Sequence, residues 1–131
     1  MKQKEYIQKY TPGKNIHLTG FLDNAYHAIA SADILVVPSQ DFESFGMTAL
    51  EGMSHAIPVV STDHGGLPET LGENGITGLY SASDNPELFS ENIIYLLDNN
   101  EISRKIGLNG KIRAEKFFSS IEMAKKYQNL L

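Results

Sequence analysis

Apolar positions along this chain fall into two rhythms. Short, unbroken runs, "DILVVPS" at 33–39 and "IPVVST" at 57–62, read as strands covered on both faces, because a half-exposed strand would alternate apolar with polar. "NIHLTGF" at 15–21 is a β-rich run behind the turn residues Pro12 and Gly13, and "TGLYS" at 77–81 is another short one; the four runs predict about four strands. Between them the period lengthens. Residues 23–32 place Tyr26, Ile29 and Ala30 at helical spacing behind Asp23 as a cap. Residues 44–55 read as a second helix. In 85–99, Leu88, Phe89, Ile93, Leu96 and Leu97 share one face, with Asn85 as cap and Pro86 in the first turn. Two further helices are expected at about 101–118 and 120–131. Met47, Met53, the aromatics at 117, 118 and 127, and Leu130 are expected to pack in the core.

Strand and helix in alternation define an α/β class, a Rossmann-like parallel sheet flanked by helices. In such sheets ligands bind beyond the carboxyl ends of the strands. Two loops fall at that edge, "SQDFESFG" and "TDHGGLPE", each leading into a helix with glycine at its start. Unpaired N–H groups and partial positive charge at helix N-termini make two adjacent ones a seat for phosphate. Gly46, Gly65 and Gly66 would let the backbone come close, and Gly46→Val is expected to block that approach at little cost to the fold.

Composition narrows the partners. The 131 residues are 41% hydrophobic and 21% charged, enough for one folded domain spanning 1–131. A net charge of −5 argues against a nucleic-acid partner, which requires clustered Lys and Arg. No run approaches the ~20 apolar residues of a transmembrane segment, and "MKQKEYIQKY" lacks a signal-peptide core. Cysteine is absent, so no disulfide framework is expected, and the chain reads as cytoplasmic. His17, His27 and His55 are scattered and suggest no metal site. His64 beside Gly65 could donate to a phosphate, although a turn histidine is commonly a surface residue.

Glu43 and Glu51 pose the chemical question. On one helix they would lie about 12 Å apart along the axis and about 80° apart around it. An acid and nucleophile acting on one glycosidic bond sit at about 5–9.5 Å. Two separate jobs along one extended ligand fit better: a sugar at Glu43, a diphosphate over the N–H groups of Phe45, Gly46 and Met47, and ribose hydroxyls at Glu51. The plain alternative is that both are solvated surface acids.

"ESFGMTALE" resembles the paired-glutamate motif of the family 4 retaining glycosyltransferases of GT-B fold, and "GGLPE" is similar to that family's second donor-side loop. "HLTGFL", "ADILVVPS", "AIPVVST" and "GITGLY" follow the order of its carboxyl-terminal domain over nearly the whole chain. The resemblance implies transfer of a hexose from a UDP- or GDP-linked sugar with retention, without a metal or cofactor. It implies that Glu43 acts catalytically on hydroxyls of the transferred sugar and that Glu51 holds the ribose. Ser44, Phe45, Gly46, Met47, Gly65 and Gly66 would be donor-binding, and Leu22 would lie at the turn whose backbone meets the base. The family's domain opens with two strands that supply an Arg and a Lys to the diphosphate, and an acceptor domain precedes it. The 131 residues contain no match to these, so transfer is expected only with an amino-terminal domain or a complementary chain, and at the membrane only peripherally. In the family's sheet those two strands lie between "NIHLTGF" and "DILVVPS", so either the remaining strands close up or a partner fills the gap. A noncatalytic module with weak nucleotide binding and a fragment of a nucleotide-sugar epimerase are the alternatives.

Overall fold

The computed structural model describes Glu5, Ile7, Lys9 and residues 15–131; the expected turn at Pro12 and Gly13 lies outside the described residues. The described chain runs α1 (Tyr26–Ala30), β1 (Leu35–Val37), α2 (Met47–Ser54), β2 (Val59–Thr62), α3 (Leu67–Leu71), β3 (Leu79–Ser81), α4 (Pro86–Asp98), α5 (Asn100–Phe118) and α6 (Ser120–Leu130). The strands form one parallel sheet in the order β1-β2-β3, with Leu35 opposite Val59 and Val60 opposite Leu79.

All four residues of the central strand β2 are buried, which is why its sequence shows no alternation. Its side chains feed two cores. Val59 joins Val37, Ala49, Met53, Leu67, Leu71 and Ala114 on one face. Val60 joins Leu79, Leu96 and Ile106 on the other, with Ile34, Phe89 and Ile93 packed around them. Helix α4 starts where expected: Asn85 Oδ1 accepts the Leu88 N–H at 3.0 Å and Pro86 needs no partner in the first turn. Buried Gly107 and Gly110 present a flat face of α5, so its backbone runs against the Ala56 carbonyl and beside Met53.

Four expectations are corrected. The sheet has three strands among the described residues, because residues 16–22 form no ladder and the outer edge of β1 stays unpaired. With no second strand beside them, Ile16, Leu18 and Phe21 remain exposed; the sheet has not closed up across the gap. The N-cap of α1 is Ala25, without a capping side chain, and not Asp23; one residue ahead of it Asn24 Oδ1 accepts the Tyr26 N–H at 2.8 Å. The expected core at the carboxyl end is largely absent: Phe117, Tyr127 and Leu130 are exposed, α6 buries no residue, and only Phe118 packs inward, edge-on to Phe45. Met53 is fully buried whereas Met47, at the solvent-facing start of α2, is exposed.

Candidate functional site

The loop after β1 and the loop after β2 are joined at the carboxyl edge of the sheet. The Gly66 N–H donates to the Glu43 carbonyl at 2.9 Å, and the Thr70 hydroxyl donates to the Phe45 carbonyl. Gly65 approaches so closely that a Cβ there would penetrate the Glu43 carbonyl oxygen. From below, Thr62 at the end of β2 donates through Oγ1 to the Ser39 carbonyl at 2.6 Å.

This framework fixes the Glu43 side chain. Its Oε1 accepts the Gly46 N–H at 2.8 Å and its Oε2 accepts the Ser39 hydroxyl at 3.2 Å. Glu43 therefore stands before α2 and not on it, which removes the one-helix geometry, and its carboxylate lies against the helix start. Gly46 is the N-cap, left-handed at φ 86°, with no capping side chain of its own. The first bond within the helix runs from the Leu50 N–H to the Gly46 carbonyl, so the N–H groups of Met47, Thr48 and Ala49 have no partner of that kind. Of the three donors expected for a diphosphate, the Gly46 N–H is engaged by Glu43; Phe45 and Met47 flank it, both side chains exposed. The low cost expected for Gly46→Val is also overturned. Besides its left-handed backbone, Gly46 is buried, and a Cβ would meet Leu67 Cδ2 at 2.8 Å.

The second expected helix seat is a single short helix, α3, with Glu69 in its first turn, and the Gly66 N–H ahead of it is engaged by Glu43. Arg113 is tied to the far end of α3, donating from Nε to the Thr70 carbonyl at 2.9 Å and from Nη2 to the Glu69 carbonyl at 2.6 Å. That guanidinium braces the second loop from behind. Its role, like those of Ser39 and Thr62, is not visible in the sequence, since the bonds bridge segments 23 to 44 residues apart.

Glu51 occupies different surroundings. It is exposed on α2 and lines a cavity of about 320 Å³ with Asp23, Asn24, Ala25, Tyr26, Ile29 and His55. Leu22, 41% exposed, precedes that wall directly. The Tyr26 and His55 rings meet edge-on at 4.5 Å, closing one side of the cavity. Ser44 and Gly65 are exposed around the Glu43 loop and His64 is half-buried. Among the described residues no three His, Asp or Glu side chains converge as a metal cluster. Chemically, among the described residues the edge presents the helix start at Met47 and Thr48, whose N–H groups have no intrahelical acceptor, a fixed carboxylate to a hydroxyl, and a second carboxylate over a cavity about 320 Å³ in volume.

Glu43 thus stands just ahead of the start of α2 and Glu51 within it, at the carboxyl edge of a parallel sheet. The chain belongs to the family described as glycosyl transferases group 1, which matches residues 2–113. An uncharacterized glycosyltransferase of Methanocaldococcus jannaschii is 39% identical over 95 residues, 72% of this chain and 26% of the relative. The chain thus spans about a quarter of that protein. The crystal structure of an Anabaena protein in complex with UDP-glucose superimposes with a TM-score of 0.86 at 21% identity, covering 99% of this chain and 36% of that one. The crystal structure of a carboxyl-terminal domain of a glycosyl transferase group 1 family protein from Francisella tularensis matches with a TM-score of 0.75 at 22% identity, over 91% of this chain and 62% of that one. The fold is that of the Rossmann-like carboxyl-terminal domain of GT-B glycosyltransferases.

Proposed function

We propose that this chain is the donor-binding part of a glycosyltransferase that moves a hexose from a UDP- or GDP-linked sugar to an acceptor with retention of anomeric configuration. The observation that carries the reading is the placement of the two glutamates about α2: Glu43 is fixed at its start and Glu51 opens onto the cavity beside residues 23–26. In this reading the diphosphate lies along the start of α2, the hexose hydroxyls meet Glu43, the ribose meets Glu51, and the base meets the backbone after Leu22. Ser44 and the Gly65–Gly66 turn line the diphosphate side. No metal or cofactor enters the scheme.

Transfer also needs the leaving diphosphate neutralised and an acceptor hydroxyl held against the anomeric carbon. Arg113, which reaches α3 behind the second loop, is committed to the α3 carbonyls. The remaining cations come from two further strands of this domain and the acceptor site from a further domain, in the same chain or a second one, consistent with the quarter-length match to the relative.

Titration calorimetry with UDP, UDP-glucose and GDP-mannose tests donor binding. At least one nucleotide should bind in the millimolar range or better, and Glu51→Ala should weaken it about tenfold or more, the loss of a charge-assisted hydrogen bond of roughly 1.5–3 kcal/mol. Unchanged affinity in Glu51→Ala would remove the ribose assignment. For catalysis, labelled donor and simple acceptors should give no product with the 131 residues alone and product once an amino-terminal domain and the two further strands are supplied in cis or in trans. Turnover by the isolated chain would show that its own residues suffice.

A further inference from the structure

Glu43 does more in this structure than wait for a sugar: its ionisable group already lies against the start of α2. Oε1 accepts the Gly46 N–H at 2.8 Å and Oε2 accepts the Ser39 hydroxyl at 3.2 Å. The main chain of Glu43 is pinned by Gly66, and Ser39 is pinned in turn by Thr62. A carboxylate held this way cannot swing far from the helix start. It stabilises α2, as a negative charge at an N-terminus does, and it lies beside any second anion brought to the same place.

Resting on the donor-site reading above, we infer that Glu43 is an electrostatic selector that disfavours the free nucleoside diphosphate relative to the nucleotide sugar. The free diphosphate ends in a monoester-type phosphate whose second ionisation, near pH 6 for such groups, adds negative charge at neutral pH. That terminal phosphate faces Glu43 and has no hydroxyl to offer it. In the sugar nucleotide the same phosphate is a diester with one charge fewer, and the hexose stands between it and the carboxylate with hydroxyls that donate to Oε1 or Oε2. Repulsion thus falls on the product, and compensation on the substrate. The consequence is faster departure of the spent nucleotide.

The test is calorimetry on the full chain with UDP and UDP-glucose, for wild type, Glu43→Gln and Ser39→Ala, at low salt and in 0.5 M salt, with thermal unfolding of each variant. Gln keeps an oxygen for the Gly46 N–H, donates from its amide nitrogen to the Ser39 hydroxyl oxygen in place of the bond that Ser39 now donates, and removes the charge. Glu43→Gln should tighten UDP about threefold to tenfold at low salt, as expected for removing one charge a few ångströms from another near a protein surface, and should give UDP-glucose no such gain. The UDP gain should fade in high salt. Ser39→Ala retains the charge and should leave UDP affinity within about twofold. UDP binding that is unchanged or weaker in Glu43→Gln, an equal gain for both ligands, or an equal UDP gain in Ser39→Ala overturns the inference while leaving the donor site standing. If neither ligand binds wild type or variant, the donor-site reading itself fails and the inference with it.

Discussion

The two ends of α2 are built on different principles. Around Glu43 the chain is cross-braced: two loops exchange backbone bonds, Thr62 and Thr70 tie them to the sheet and to α3, and both carboxylate oxygens are occupied. Around Glu51 no side-chain hydrogen bond holds the carboxylate among the described residues; its carbonyl lies 2.7 Å from His55 Nδ1. The facing wall is a turn in which Asn24 Oδ1 accepts the Tyr26 N–H and the Tyr26 ring meets His55. The difference teaches where stability and recognition are coupled. At the Glu43 end, what orients the functional group also holds the fold. At the Glu51 end they are separate, so the carboxylate can be removed there without unfolding anything.

The sharpest way to break the braced end is Gly65→Val. At φ 57° any L side chain is strained, and its Cβ would drive into the Glu43 carbonyl, an atom already bonded to Gly66. Backbone cannot yield as a side-chain tip can, so the loss should reach about 3 kcal/mol or more in urea unfolding. Gly46→Val comes next, at roughly 2–3 kcal/mol. It combines a left-handed residue with overpacking against Leu67, but Leu67 Cδ2 is a side-chain end and can move. If Gly46→Val proves as mild as a surface change, the braced end is looser than its bonds imply.

Thr62→Val probes a single strut. The hydroxyl is buried and its bond to the Ser39 carbonyl is one of the links between β2 and the Glu43 loop. Valine preserves the shape, so the cost should be about 1–2 kcal/mol, for one buried acceptor left without its donor. A larger loss would mean that the loop unlocks as a unit.

The same contrast explains what could be read from the sequence. The braced region was legible because its signals are local and redundant: unbroken apolar runs for β1 and β2, glycines at both turns, Asn85 and Pro86 opening α4. The pattern did not carry the struts themselves. Ser39 and Glu43 look like two polar residues of one loop until Thr62, from another strand, fixes the backbone between them. The amino-terminal run misled for the converse reason. "NIHLTGF" has strand composition, but a strand exists only against a neighbour, and β1 offers none of its backbone to residues 16–22. Helix α6 shows the same limit: Tyr127 and Leu130 are apolar at helical spacing, yet nothing among the described residues covers them.

The smallest expected effect is the most telling for the comparison. Glu51→Ala removes an exposed carboxylate in the interior of α2, and no ion pair or side-chain hydrogen bond of Glu51 is lost with it among the described residues. Alanine is the better helix former, by up to a few tenths of a kcal/mol, and this offsets whatever solvation the acid contributes. Urea unfolding of Glu51→Ala should therefore fall within about 0.5 kcal/mol of wild type, the range of ordinary surface substitutions. A loss of 1 kcal/mol or more would mean that Glu51 braces the turn at 23–26, and the two ends of α2 would then be built alike. A null result alongside weakened nucleotide binding separates the roles cleanly: at this end the charge serves the ligand, and the fold is indifferent to it.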